Sequence, residues 1–111
     1  MKKYIPKRGD IIFTNFNPSA GNEQAYERPA LVLSPEAFNN QIQLALVAPI
    51  TSTVRGHGFE VLLDDKTKTQ GVVLCQQVKT IDYETRGVRL IEPAPSHVVN
   101  EALARVRALV S

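Results

Sequence analysis

The chain has 111 residues and a mass of 12.3 kDa, which predicts one domain over residues 1–111, because two halves would each be too small to bury a core. Apolar residues make up 43% and charged residues 22%, which excludes a disordered chain, and no apolar run approaches the roughly 18 residues of a membrane span. The net charge of +2 permits nucleic-acid binding at a localised site but argues against a broadly basic binding surface.

Short apolar runs separated by turn residues predict antiparallel strands over most of the chain. The predicted strands are 10–15, 30–34, 44–50, 59–63 and 71–75, with a short sixth strand at 88–91. The run 30–34 is apolar almost throughout, which indicates a strand buried on both faces. Pro49 predicts a strand end or a sheet edge, since proline cannot donate to the ladder. Residues 35–39 predict a single helical turn.

The hydrophobic period changes near the C-terminus. Val99, Leu103, Val106 and Val110 recur at helical spacing, and Ser96 is a candidate N-cap before them. Together these patterns predict a small, strongly bent antiparallel sheet closed by one terminal helix. Such an architecture is similar to an SH3-like barrel with an added helix.

The chain start and the single cysteine bear on where the protein works. The basic first residues are followed by Gly9-Asp10 rather than by an apolar secretion segment, so we expect a cytoplasmic protein that does not enter a membrane. Cys75 is the only cysteine, which excludes an internal disulfide, and its apolar surroundings predict a core thiol rather than a nucleophile.

Two polar segments depart from the pattern of short turns. One connection spans residues 16–29, although most hairpin loops have about 2–5 residues, and long loops in compact domains are often functional. The second segment spans residues 51–58. If the sheet folds back on itself, the two segments line one groove. Their polar residues include Asn22, Glu23, Gln24, Arg28, Thr51, Ser52, Arg55 and His57.

Four of these residues offer phosphate chemistry. Arg28 presents a planar guanidinium for a phosphate, and Thr51 and Ser52 add hydroxyl donors. Glu23 is a candidate proton acceptor. The structural alternative is that Arg28 is a loop cation before a proline, and that Thr51 and Ser52 are turn formers at a strand end.

No metal or cofactor site is predicted. His57 and His97 lie 40 positions apart, and neither has a second ligand at metal-binding spacing. The carboxylate pair Asp64-Asp65 opens a Lys/Thr-rich stretch and predicts a solvated turn. The chain also lacks a glycine-rich phosphate loop and a nucleophile elbow.

Six ordered sequence blocks resemble the MazF/PemK (Kid, ChpB-like) toxins of bacterial type II toxin–antitoxin modules. They are RGDI at 8–11, NPxxGxEQ at 17–24, ERPALVLSP at 27–35, FNN at 38–40, VAPITS at 47–52 and GVVLCQQVKTID at 71–82. Each block is weak alone, but their order and spacing along nearly the whole chain are specific.

The resemblance implies a CcdB/PemK-type barrel of antiparallel strands with a C-terminal helix, assembled as a homodimer. It implies a metal-independent endoribonuclease, an mRNA interferase that cuts single-stranded RNA and leaves 2′,3′-cyclic phosphate and 5′-hydroxyl ends. The implied partners are mRNA and a cognate antitoxin with a disordered, acidic tail, with DNA contacted only through the antitoxin. Inhibition of translation and growth is the implied outcome.

The resemblance also assigns roles to residues. Arg28 and Thr51 match the arginine and threonine that members use at the scissile phosphate, and Glu23 matches an acidic position in the same loop. The Kid branch carries His, Arg and Asp where this chain has Asn22, Leu74 and Gln76, so a mechanism built on that Asp/Arg pair cannot operate here. The expected RNA-binding residues are Ser52, Asn22, Gln24, Arg55, His57, Gln76, Gln77 and Lys79.

Two other functions remain open from the sequence. Gyrase-inhibiting CcdB-like toxins share the barrel but act through a Trp-bearing C-terminal tail, whereas this chain has no Trp. A non-catalytic RNA-binding barrel would use Arg28 and Thr51 only to hold phosphate. A cleavage assay in EDTA distinguishes that protein from the nuclease.

Overall fold

The computed structural model describes residues 3–15, 27–56 and 58–111. The described residues form seven strands, two α-helices and a short 3₁₀ helix. In chain order these are β1 (Asp10–Asn15), β2 (Glu27–Val32), α1 (Glu36–Ile42), β3 (Ala45–Thr51), β4 (Glu60–Leu62), β5 (Val72–Leu74), the 3₁₀ helix (Cys75–Gln77), β6 (Lys79–Ile81), β7 (Arg89–Pro93) and α2 (Ser96–Leu109).

The strands form one antiparallel sheet in the order β4-β5-β3-β2-β1-β7, and β6 pairs with the first half of β3. The predicted class, mainly antiparallel β with a C-terminal helix, is confirmed. The sheet differs from the expected barrel because no pairing within the described residues joins β4 to β7. Beyond β3 the strands β4, β5 and β6 have three residues each, which offers too few pairs to carry the ladder round to β7.

The core lies on both faces of the sheet, because side chains alternate along β1, β2 and β3. Ile11 and Leu31 point to the face covered by α2, where they meet Val98 and Ala102. The opposite face holds a second cluster of Ile12, Ala30, Val32, Ala45, Val47, Ile81 and Tyr83. The predicted burial of β2 on both faces is therefore confirmed. Within the described ranges, neither helix is long and apolar enough to cross a membrane.

Strand β2 begins earlier than predicted. Glu27 and Arg28 pair with Asn15 and Thr14 on β1, so the hairpin ladder continues past the apolar residues into charged ones. The prediction that the loop extends to residue 29 is wrong, because ladder pairing overrides the polar composition. Arg28 consequently lies on a strand rather than in a loop.

Two predictions about where a strand ends and where a helix begins are also corrected. Pro49 lies inside β3, opposite Ala30, at the point where the other side of β3 changes partner from β6 to β5. A proline is tolerated there because the ladder is interrupted at the change. Ser96 is the first residue of α2, and Pro95 holds the N-cap position without a side-chain cap.

Candidate active site

The sheet brings the predicted phosphate-binding residues into one surface cavity of about 310 Å³. Arg28 reaches it from the start of β2, and Thr51 and Ser52 reach it from the end of β3. The remaining lining residues are Glu27, Pro29, Ile50 and Gln70. The cavity therefore offers a guanidinium, two hydroxyls and a carboxylate at one edge of the sheet.

Strand register explains why Arg28 and Thr51 are neighbours. Val32 pairs with Val47 and Ala30 with Pro49 in the antiparallel β2–β3 ladder. The same register, continued by two residues on each strand, sets Arg28 opposite Thr51. Directly opposed residues in such a ladder have Cβ atoms about 4.5–5.5 Å apart. The site thus rests on two adjacent strand ends rather than on two separate loops.

The turn between β4 and β5 supplies a wall of the cavity that the sequence did not predict. Gly71 has φ +119°, and a Cβ placed there would lie 2.1 Å from the Thr51 carbonyl oxygen. Only glycine permits so close an approach of two backbones. The approach brings Gln70 into the cavity. The glycine that opens the predicted strand 71–75 was the only available signal.

Glu27 is the second lining residue to which the sequence analysis assigned no role, although it lies in the polar segment 16–29. Its carboxylate belongs to the cavity because β2 extends as far as Glu27. Its position directly before Arg28 was the available signal. Asn22, Glu23, Gln24 and His57 lie outside the described residues, so their roles stay predictions.

Four other predicted residues are described but do not line the cavity. The backbone N–H groups of Arg55 and Gly56 donate to the Glu60 carboxylate at 2.8–3.2 Å, which ties the segment after β3 to β4. Gln76 and Gln77 belong to the 3₁₀ helix. Lys79 pairs with Val47 on β3, four residues along that strand from Thr51. Their predicted RNA contacts remain predictions.

The side chains of Cys75, Asp64 and His97 could also be reactive, but their burial and contacts are those of structural residues. Cys75 is fully buried, and burial raises the pKa of its thiol to about 11, which is the behaviour of the predicted core thiol. The Asp64 carboxylate accepts the Lys66 N–H at 2.9 Å and lies 2.9 Å from His97 Nε2. Across residues 3–15, 27–56 and 58–111, no group of three or more His, Cys, Asp or Glu side chains could hold a metal ion.

The fold and the cavity define a small β-sheet protein with a terminal helix and a donor set suited to a phosphate. A family model described as the PemK-like, MazF-like toxin of type II toxin–antitoxin systems matches residues 7–110. The chain belongs to this family, which confirms the resemblance found in the sequence.

Named relatives extend the match over almost the whole chain. The chain is 39% identical to Endoribonuclease PemK of Escherichia coli over 114 residues, covering 99% of this chain and 86% of the relative. It is 44% identical to Endoribonuclease toxin ChpB of Escherichia coli K12, covering 99% and 98%. The crystal structure of MazF (Form-I) from Deinococcus radiodurans superimposes with a TM-score of 0.88 at 37% identity, covering 97% and 98%. The MazE–MazF (Form-II) structure from the same organism gives 0.89 at 37% identity, covering 97% of each chain.

Proposed function

We propose that this protein is a sequence-specific endoribonuclease toxin that cuts single-stranded RNA, mainly mRNA, and thereby inhibits translation and growth. The observation that carries the proposal is the shared cavity of Arg28, Thr51 and Ser52. Guanidinium and hydroxyl groups are the donors that bind a phosphodiester and stabilise charge on its oxygens. Relatives named as endoribonucleases, at 39% and 44% identity along the chain, support the same activity.

The reaction we propose is an internal transfer within the RNA. The 2′ oxygen forms a bond to the adjacent phosphorus, and the bond from phosphorus to the 5′ oxygen of the next nucleotide breaks. The proton of the 2′-OH passes to a base, and the leaving 5′ oxygen receives a proton. The products are a 2′,3′-cyclic phosphate and a 5′-hydroxyl, formed without a protein nucleophile or a metal ion.

The cavity residues divide this work by their chemistry. Arg28 stabilises the charge that develops on the phosphorane and delivers the proton to the leaving oxygen, directly or through water. The Thr51 and Ser52 hydroxyls donate to the remaining phosphate oxygens. Glu23 is the proposed base that accepts the proton of the 2′-OH. Glu27 is the carboxylate residue among those that line the described part of the cavity.

Further proposals concern the partners. The MazE–MazF structures of relatives support a cognate antitoxin, whose acidic disordered tail binds along the RNA groove. We propose a cytoplasmic homodimer that contacts DNA only through that antitoxin. Additional RNA contacts are assigned to Asn22, Gln24, Arg55, His57, Gln76, Gln77 and Lys79.

The direct test is cleavage of a short RNA in which one ribose is replaced by deoxyribose on the 5′ side of the mapped cut. We expect cutting at that bond to disappear while binding persists, and EDTA to leave cleavage of the unmodified RNA unchanged. Binding without cutting of any RNA supports the non-catalytic alternative. Cleavage of the deoxy-substituted bond contradicts 2′-OH attack.

A further inference from the structure

A second cavity of about 470 Å³ adjoins the proposed phosphate site. The two cavities share Ser52 and Gln70 as lining residues, so they lie side by side at the end of β3. A volume of this size falls within the roughly 300–1,000 Å³ of small-molecule sites. None of the residues peculiar to the second cavity takes part in the proposed cleavage chemistry.

The second cavity is lined by both apolar and acidic residues. Leu62 on β4 is 64% exposed and Val54 is 57% exposed, and both line the cavity. The turn after β4 contributes the carboxylates of Asp64 and Asp65. Asp64 is fixed by the Lys66 N–H and by His97, so one acidic group is held in place.

We propose that this second cavity holds a nucleobase of the RNA next to the scissile phosphate and selects bases that carry an exocyclic amino group. The inference rests on the proposed nuclease function and adds the base preference to it. The ring packs against Leu62 and Val54, as unstacked bases pack on side chains in single-stranded RNA recognition. An amino group of adenine, cytosine or guanine donates to one of the carboxylates that line the same cavity.

The charges of the lining residues indicate which part of the RNA enters each cavity. Phosphates are repelled by Asp64 and Asp65 but attracted by Arg28, so the backbone occupies the first cavity and the base occupies the second. Uracil carries two carbonyl oxygens and only one N–H donor on its edges, so it gains less from the carboxylates of Asp64 and Asp65. An acidic antitoxin tail is repelled by the same carboxylates.

The experiment sequences the cut ends of a randomised RNA after digestion by wild type, Leu62→Ser and Asp65→Asn. We expect wild type to disfavour uracil about tenfold at one position flanking the cut, which is the discrimination of a single good base contact. Asp65→Asn should reduce that factor to about threefold or less by removing the charge. Leu62→Ser should weaken selection at the same position only, whereas Leu90→Ser, an exposed leucine on β7, should change no preference.

The outcomes that contradict the nuclease function differ from those that contradict the base-binding cavity. Absence of RNA cleavage by wild type contradicts the proposed function itself. Wild-type cutting with an unchanged base profile in both Leu62→Ser and Asp65→Asn overturns the base pocket and leaves the nuclease standing. Weakened antitoxin binding with unaltered cleavage in those variants assigns the cavity to the antitoxin instead and also overturns the proposal.

Discussion

Arg28 concentrates the proposed chemistry in one side chain. We expect Arg28→Ala to lower RNA cleavage by about a hundredfold or more, the loss typical of a missing transition-state donor. Arg28→Lys should not restore the rate, because an ammonium lacks the planar fork that binds two phosphate oxygens. Thr51→Ala should lower the rate as well. Initial cleavage rates on one short RNA measure all three effects.

Arg89→Ala is a matched control for Arg28→Ala, because it shows whether the effect comes from losing any positive charge or from losing the one in the cavity. Arg89 is another strand arginine, and its guanidinium carbon lies 4.7 Å from the centre of the Phe13 ring, outside the cavity. Arg89→Ala removes the same charge and should leave the cleavage rate within about threefold, since the phosphate donors are intact. Near-wild-type rates for both Arg28→Ala and Thr51→Ala would contradict the assignment.

At the scale of single residues, the sequence predicts some roles and not others. Arg28 and Thr51 could be selected because their functional groups suit a phosphate, but their opposition depends on strand register. The structural role of Asn39 could not be predicted. It is fully buried and donates to the backbone carbonyls of Pro6 and Ser34 at 2.7 and 3.1 Å, and a polar residue in a predicted helical turn gives no signal of such partners.

Among the elements, the β4–β5 turn depends on Gly71. We expect Gly71→Ala to destabilise the fold and to lower cleavage together, because the new Cβ would collide with the Thr51 carbonyl oxygen. Gly87 is the control, with φ +67° and no atom beyond its two chain neighbours within 4 Å of the position that a Cβ would take. Gly71→Ala should lose at least about 1 kcal/mol more than Gly87→Ala in urea unfolding. Equal losses would show that the close approach is unimportant.

Glu92 on β7 holds the same turn from outside the cavity. Its carboxylate accepts the backbone N–H groups of Lys68 and Thr69 and the Thr69 hydroxyl at 2.8–3.1 Å. Burial alone opposes the charged form, but these hydrogen bonds outweigh it and lower the pKa of Glu92. The contribution to stability is therefore present above the unfolded-state pKa of about 4.3 and is lost as the pH falls below it.

The corresponding variant is Glu92→Gln. At pH 7 it should lower the free energy of unfolding by about 1–2 kcal/mol, near the lower end of the range for hydrogen bonds to a charged group, because the Glu92 contacts are only part-buried. The difference from wild type should shrink when urea unfolding is repeated at about pH 3, below the unfolded-state pKa. Glu101→Gln, at a helix-surface pair with Arg105, should change stability by under about 0.5 kcal/mol at pH 7. If Glu92→Gln lowers the free energy of unfolding by the same amount at both pH values, the stabilisation does not come from the ionised Glu92 carboxylate.

Elements can be predicted from the sequence where apolar residues decide the structure, but not where pairing does. The strand at Asp10–Asn15 has the predicted bounds because apolar and turn residues delimit it. The strand Lys79–Ile81 escapes prediction, since three residues carry too little pattern. Helix α1 runs to Ile42 rather than through a single turn, and Gln43 ends it with φ 62°, a conformation that sequence does not mark at glutamine.

At the scale of the whole molecule, an apolar groove of about 320 Å³ between α1 and α2 supports self-association. Phe38, which lines it, is 46% exposed beside Leu46, Leu103 and Val106. We expect a homodimer with twice the 12.3 kDa mass of one chain in light scattering at micromolar concentration. Phe38→Ala should raise the dimer dissociation constant about tenfold through lost apolar burial. A single-chain mass for wild type would contradict the dimer.

The assembled toxin should bind RNA or the antitoxin tail at the active groove, but not both. An acidic tail and an RNA phosphate compete for the same guanidinium of Arg28, so saturating antitoxin peptide should abolish cleavage of a short RNA. Raising the RNA concentration should relieve that inhibition, as expected when two ligands share a site. Arg28→Ala should weaken binding of both ligands, whereas Arg89→Ala should weaken neither. Unchanged cleavage at saturating peptide would show that the antitoxin binds elsewhere.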